Sequence, residues 1–276
     1  FDAIQKSDHR KHMNQKYTEE NEQGDDEVDI QNRQFLDEEN DMEDDLQLTI
    51  SEAFGTLFKT HKYKCNELLS NLFNHLLPQY LDESAAFVKQ KFALYVVGDL
   101  VEHLGLEILG SKYEDCFKVI EKYSQSINPV CRQAGVYGLG ISANSGGEFF
   151  ASFADSTVNL LKKAIEMECG TQEKVEYNHA RDNAISALAK VMKYQYSNID
   201  LESTFQFWLS HMPIKHDLTE AKESNAFLAD VVLEKPEMVI GSNGEHTKNL
   251  IYLLGDTMRK DCMEEDTIKK FGRFLK

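Results

Sequence analysis

The sequence has little proline, glycine or cysteine, and it has no long hydrophobic run. Only four prolines and fifteen glycines occur in 276 residues, which disfavours a turn-rich all-β fold. The five cysteines are odd in number and scattered, so they predict buried thiols in a reducing compartment rather than a disulfide framework. They are Cys65, Cys116, Cys131, Cys169 and Cys262. No apolar segment approaches the ~20 residues that span a bilayer, so we expect no membrane insertion.

Positive charge is also scarce. The chain carries 47 acidic against 30 basic residues, a net charge of −17. It therefore lacks the basic surface that binds phosphate backbones, and we expect no nucleic acid partner. Proteins with basic segments are better candidates. Most of the excess negative charge lies in residues 19–45, where fourteen acidic residues accompany one arginine, Arg33.

This acidic window, residues 19–45, has no helical apolar periodicity and predicts a mobile acidic loop. Two interpretations stay open. The loop is a linker without a specific ligand, or it attracts the basic segments of cargo proteins. In the second case the candidate protein-binding residues are its carboxylates, namely Asp25, Asp26, Glu27, Asp37, Glu38, Glu39, Asp41, Glu43, Asp44 and Asp45.

Three segments resemble copies of one helix: residues 90–98, 132–140 and 182–190. When they are superposed, Phe92, Ala134 and Ala184 share one column, with steps of 42 and 50 residues. A fourth, weaker copy covers residues 223–229. Helical repeats of about 40–47 residues indicate a HEAT or armadillo solenoid, which is a binding surface. The predicted fold class is therefore an all-α HEAT-repeat superhelix of antiparallel helix pairs.

The predicted solenoid covers residues 46–276 in about five to six helix pairs. Residues 84–104, 129–143 and 173–194 are rich in small residues, so we expect these helices to pack closely as the inner layer, with Ala134 buried between repeats. Residues 1–18 predict the end of a truncated HEAT repeat, in which Phe1, Ile4 and the neighbouring apolar positions have lost their packing partner. We therefore expect a fragment of a longer protein.

Signatures of catalysis are weak. Gly138-Leu-Gly140 lies inside a predicted helix without a preceding strand, unlike a nucleotide-binding fingerprint. His61 and Cys65 share a helix face, but no second ligand pair accompanies them. The sequence predicts no catalytic, cofactor-binding or metal-binding residue, and hence no enzyme.

Several motifs in order carry a family resemblance. Residues 98–103 read Gly-Asp-Leu-Val-Glu-His, and residues 128–140 read Asn-Pro-Val-Cys-Arg-Gln-Ala-Gly-Val-Tyr-Gly-Leu-Gly. Ser-Gly-Gly follows at 145–147, Asp-Asn-Ala-Ile-Ser-Ala-Leu-Ala-Lys-Val-Met at 182–192, and Phe-Trp-Leu-Ser-His-Met-Pro at 207–213. The chain resembles the C-terminal third of a karyopherin-β nuclear transport receptor of the importin-β superfamily, nearest the importin-beta-3 branch.

The resemblance implies a non-catalytic import receptor that shuttles between cytoplasm and nucleus. It implies cargo proteins, nucleoporins and the Ran GTPase as partners of the full-length protein, with cargo released by Ran-GTP. The family's main Ran-binding arch lies nearer the N-terminus, so we expect weak Ran binding here. A regulatory HEAT-repeat scaffold is the alternative, but the uneven repeat steps and the acidic insertion favour the receptor.

Overall fold

The computed structural model describes residues 1–20, 27–167, 175–241, 243–244, 246–257 and 261–275, with only the backbone for residues 20 and 27–29. Of these described residues, 85% are helical and none belongs to a strand. The predicted all-α class is confirmed. None of the described helices is both long enough and apolar enough to cross a bilayer.

The chain divides into two compact units, Phe1–Asp99 and Leu100–Lys276. Unit 1 contains two long helices, α1 (Asp2–Glu20) and α2 (Glu27–His61). A 3₁₀ turn (Lys62–Lys64) leads to α3 (Asn66–Asn71), a π-helical turn (Leu72–Leu76) and α4 (Leu77–Tyr80). Helix α5 (Phe87–Leu109) starts in unit 1 and ends in unit 2, with a break at Gly105, whose φ of 59° is not helical.

Unit 2 continues with ten further helices in the part of the chain that the structure describes. They are α6 (Lys112–Tyr123), α7 (Pro129–Ser145), α8 (Gly147–Ala151), α9 (Ala154–Glu166), α10 (Val175–Gln195), α11 (Leu201–Ser210), α12 (Leu218–Glu234), α13 (Pro236–Ile240), α14 (Thr247–Thr257) and α15 (Glu265–Phe274).

The loop predicted for the acidic window is wrong for residues 27–45, which belong to α2; residues 21–26 lie outside the described part. Helix α2 packs antiparallel to α1. Residues later in α1 contact residues earlier in α2. Gln47 donates to Ser7 Oγ at 3.1 Å, and Asn14 donates to Glu39 at 3.3 Å. Ile4 is only 2% exposed, so the prediction that it lacks a packing partner is also wrong.

Within unit 2, α7 lies antiparallel to α6 and parallel to α10. The α6 residue Tyr113 reaches the carbonyl of Ser142 near the end of α7, at 3.4 Å. Gly140 of α7 faces Ala187 of α10, and Gln195 at the end of α10 donates to the carbonyl of Ala143 at 2.9 Å. The expected close packing is confirmed for α7 and α10, whereas the place of residues 84–104 in it and the inner layer stay predictions.

The parallel stack extends beyond α10. Asn183 of α10 donates to Asp217, at the start of α12, at 2.9 Å. Asn225 of α12 donates to the carbonyl of Cys262, just before α15, at 2.8 Å. Lys270 further along α15 pairs with α12 at 2.7 Å through Asp230. Four helices therefore follow one another side by side, in the order α7, α10, α12 and α15.

One buried carboxylate holds the chain that enters α12. Asp182, 5% exposed, accepts backbone hydrogen bonds from Lys215, His216 and Asp217 at 3.2, 2.6 and 3.1 Å. Asp217 in turn caps α12 by accepting from the backbone N–H of Glu220 at 3.1 Å. A single side chain of α10 thus positions both the preceding loop and the first turn of the next helix.

The cysteines in the described part are buried as predicted, namely Cys65, Cys116, Cys131 and Cys262. Burial, and then the neighbouring Asp115, raise the pKa of Cys116 to about 12. A thiol of this kind is chemically inert at neutral pH. Cys169 lies outside the described residues.

Ala134 is half-buried, so the prediction that it fills the contact between repeats is wrong. The neighbouring glycine makes the close contact instead. A Cβ added to Gly135 would lie 2.3 Å from the backbone nitrogen of Ser124 and 2.5 Å from the carbonyl carbon of Tyr123. The end of α6 thus approaches α7 at a point where only hydrogen fits.

Gly135→Ala is expected to lower the free energy of unfolding by about 1–3 kcal/mol, because backbone atoms of α6 must shift. Gly272→Ala on α15 is the matched control, since its added Cβ would meet nothing within 4 Å. This control should gain up to about 1 kcal/mol from helix propensity. Urea unfolding of both variants measures the difference. Equal midpoints for the two variants would contradict the close approach of α6 and α7.

Candidate protein-binding surfaces

The acidic residues of α2 divide into an inward and an outward set. Of the inward set, Glu43 accepts two hydrogen bonds from the Arg10 guanidinium, one of them at 2.8 Å, and Asp44 pairs with Lys11. Hydrogen bonds from Arg10 lower the pKa of Glu43 despite its partial burial. Glu43 and Asp44 are thus neutralised by basic residues of α1, and Glu39 accepts a hydrogen bond from the uncharged amide of Asn14.

The outward set is exposed to solvent. Asp37, Asp41 and Asp45 are spaced four residues apart on α2 and form a line on one helix face, which we call the acidic stripe, with Glu38 beside it. Of the other predicted residues, Asp25 and Asp26 lie outside the described part, and Glu27 begins α2 with its side chain undescribed. The acidic stripe is therefore exposed and can attract cations.

A second surface lies in unit 2, where side chains of α5, α7, α10 and α12 line a groove of about 340 Å³. We call it the α7–α10–α12 groove. Charged, aromatic and hydroxyl side chains line it, including Glu102, Tyr137, Ser186, Lys190, Glu223 and Ser224. Tyr137 donates to Glu102 across the groove at 3.4 Å. Burial, and then the neighbouring glutamates, raise the pKa of Tyr137 well above its ordinary value.

Lys190 organises the charge of this groove. Its Nζ lies 3.0 Å from a carboxylate oxygen of Glu220 and of Glu223, and 5.0 Å from the centre of the Tyr137 ring. The side chains of Lys190 and Glu220 are 14% and 7% exposed, whereas that of Glu223 is 55% exposed. Burial alone would lower the pKa of Lys190, but the two glutamates together raise it above its ordinary value.

Two hydroxyls in the groove are buried without a hydrogen-bond partner among the described residues. Ser186 of α10 and Ser224 of α12 are each 1% exposed, and both line the groove. A buried hydroxyl left unpaired costs about 1–3 kcal/mol, and native structures leave few of them. Two such groups on adjacent helices mark this groove as a place where a polar ligand can bind.

Sequence reasoning missed the groove entirely, although a signal was present. Lys190 ends the third repeat copy in the column that Gly98 and Gly140 occupy in the other two. A charged residue in a column of glycines indicates a local polar partner, and here the partners are Glu223 of the fourth copy and Glu220, which lies just before that copy.

Part of this chain is similar to a curated protein sequence. No protein-family model matches the chain. A probable importin-5 homolog from Dictyostelium discoideum is 28% identical over 149 residues, which cover 51% of this chain and 14% of that protein. The chain thus spans about a seventh of the length of this curated relative.

Solved karyopherin structures share the fold. The crystal structure of the karyopherin Kap121p bound to the SUMO protease Ulp1p matches 84% of this chain with a TM-score of 0.59 at 20% identity. Kap121p bound to Pho4p matches 94% with a TM-score of 0.57 at 21% identity. These matches cover 23% and 24% of the Kap121p chain. Because these structures are HEAT-repeat solenoids, the predicted repeat class is confirmed.

The importin-beta-3 branch named by the sequence motifs stays a prediction. The sequence match to an importin-5 homolog and the structural matches to Kap121p agree with each other and with the motifs of residues 128–140 and 182–192. Both comparisons thus find this chain similar to karyopherins of the importin-β superfamily.

Proposed function

We propose that this chain is part of a nuclear import receptor and that it binds basic segments of cargo proteins without catalysing a reaction. The observation that carries the proposal is the exposed acidic stripe of α2, borne on a HEAT-repeat fold. The solved relatives include complexes of Kap121p with protein partners, among them Ulp1p and Pho4p. A protein ligand for this chain accords with those complexes.

The wider role belongs to the full-length receptor. In this proposal the receptor shuttles between cytoplasm and nucleus, contacts nucleoporins, and releases cargo when Ran-GTP binds. The spans of 14% and 23% of its relatives' lengths are consistent with a contribution of one segment to that cycle. The segment would supply acidic contacts, while the principal Ran contacts lie elsewhere.

The test compares the parent chain with a variant that carries Asp37→Asn, Asp41→Asn and Asp45→Asn. The probe is an octapeptide of alternating lysine and glycine, and calorimetry measures its affinity at 0.05 and 0.15 M salt. We expect the variant to bind at least about threefold more weakly at the lower salt concentration. Screening should narrow the difference at 0.15 M, where the Debye length is about 8 Å.

A charge-matched control separates a specific surface from the general attraction of an acidic protein. It carries Asp115→Asn, Asp155→Asn and Glu166→Gln, three exposed carboxylates of α6 and α9. The control should bind the octapeptide like the parent. An equal loss in both variants would contradict a role of the acidic stripe. Failure of the parent to bind the octapeptide would contradict the proposed function itself.

A further inference from the structure

We propose that the α7–α10–α12 groove binds a lysine or arginine side chain from an extended segment of a partner protein. The cationic group would lie between Glu102 and Glu223, and the hydroxyls of Ser186 and Ser224 would bond to polar groups of the segment. This inference rests on the proposed function, because it assigns a second contact for the same class of partner.

The unpaired hydroxyls are the first argument. Serine in a helix can donate to the carbonyl four residues earlier, as Ser142 does to Gly138 at 2.8 Å. Ser186 and Ser224 make no such bond, yet both are buried. A peptide segment carries one amide donor and one carbonyl acceptor per residue, so it can satisfy both hydroxyls at once.

The charge of the groove is the second argument. Two glutamates, Glu102 and Glu223, and two lysines, Lys190 and Lys193, line the groove. The buried Glu220, which pairs with Lys190 beneath them, leaves one negative charge in total. Lys190 is shared by two of the glutamates, and Glu223 remains half in solvent. A cation entering beside Glu102 and Glu223 would balance this charge, whereas an anion would add to it.

The aromatic groups are the third argument. Tyr137 already holds an ammonium group over its ring, at 5.0 Å from Lys190 Nζ, so this part of the groove tolerates a cation at a π-face. Phe227 lines the same groove. The volume of about 340 Å³ lies at the lower end of the range for ligand pockets, ~300–1,000 Å³. It suits one long side chain with its adjoining backbone.

The experiment is an NMR titration of the isotopically labelled chain with the probe acetyl-Gly-Ala-Lys-Ala-Gly-amide. The comparison peptide has norleucine in place of lysine, which keeps the length but removes the charge. We expect the lysine peptide to shift the amide signals of α10 and α12 around Lys190 and Glu223. We expect the norleucine peptide to bind the parent chain about fivefold more weakly than the lysine peptide does. The variants Glu102→Gln and Glu223→Gln should each bind the lysine peptide about fivefold more weakly than the parent does.

The double variant Ser186→Ala with Ser224→Ala separates binding from packing. A purely structural role predicts unchanged peptide affinity. The proposal predicts that affinity falls severalfold while the melting temperature stays equal to the parent's or rises, since buried unpaired hydroxyls are removed. Glu166→Gln on α9, outside the groove, is the control and should bind like the parent.

Equal binding of the lysine and norleucine peptides would overturn the proposal, as would unchanged affinity in the double serine variant. The octapeptide experiment on the acidic stripe keeps the two ideas apart. If the octapeptide binds the parent but the pentapeptide shifts no signal in the groove, the inference fails and the proposed function stands. If neither peptide binds, both fail.

Discussion

Replacing Lys190 by alanine lowers the free energy of unfolding by about 3–5 kcal/mol, because it leaves the carboxylate of Glu220 buried without a cation. Glu220 is only 7% exposed, and its partner is the Lys190 ammonium at 3.0 Å. Glu223 also loses this partner, but water can solvate its exposed carboxylate. The expected effect therefore comes mostly from the one glutamate that water cannot reach. Urea unfolding at pH 7 measures it.

Lys193→Ala is the matched control, since Lys193 lies one turn further along α10 with its side chain exposed. It should change the free energy of unfolding by less than about 1 kcal/mol. Similar losses of stability for the two lysine variants would contradict the prediction, because they would mean that Lys190 acts as an ordinary surface charge.

The pH dependence of this difference follows from the raised pKa of Lys190. A lysine whose pKa is higher in the folded state than in the unfolded chain stabilises the fold. The full stabilisation is present at pH values below the ordinary lysine pKa of 10.5. The stabilisation disappears as the pH rises through the folded-state value. The gap between parent and Lys190→Ala should hence persist from pH 7 to pH 9 and shrink only above about 10.5. A gap that closes near pH 8 would contradict this assignment.

Asp182→Ala is expected to cost about 3 kcal/mol, because three partly buried backbone N–H groups lose hydrogen bonds to a charged acceptor. Each such bond is worth about 1.5–3 kcal/mol, and water replaces the three bonds only in part. The donors belong to Lys215, His216 and Asp217, which lead directly into α12. Hydrogen exchange provides a second measurement, since these three amides should exchange faster than in the parent.

Asp155→Ala is the control for this carboxylate. Asp155 is exposed in the first turn of α9, where its favourable interaction with the helix dipole is worth about 0.3–1 kcal/mol. The loss in Asp182→Ala should exceed this control clearly. A variant at 182 as stable as the control would mean that the loop before α12 finds other acceptors.

The helical class and much of the repeat order were predictable, because they depend on periodicity that a single sequence records. Phe92 and Ala184 are buried where their column predicts. Ala134 is not, because α7 turns a glycine, Gly135, towards the end of α6. A column of similar residues reveals a shared helix, but one residue of rotation decides which side chain meets the neighbour.

The error in the acidic window has an electrostatic cause. Fourteen carboxylates in residues 19–45 read as a solvated loop when that segment is considered alone. The basic residues that neutralise part of it lie about thirty positions earlier, where Arg10 meets Glu43 and Lys11 meets Asp44. The prediction considered the charge of each segment separately, whereas α2 is stabilised by the basic residues of α1.

The groove was not predictable for a different reason. Its members come from four helices, and Glu102 and Glu223 are more than a hundred positions apart. Each one alone looks like an ordinary surface charge. Only the parallel arrangement of α7, α10 and α12 brings these charges and the two serines of the repeat copies into one place.

The polar bonds between stacked helices have a mechanical consequence. Three side-chain amides make these bonds, and each joins one helix to the next helix or to a residue that leads into it. They are Gln195 to Ala143, Asn183 to Asp217 and Asn225 to Cys262. Such directional bonds resist sliding of one helix along another, while the small side chains between them offer little resistance to tilting. We expect stretching of this stack to tilt its helices apart without changing their register. Tension should therefore widen the α7–α10–α12 groove before it unfolds any single repeat.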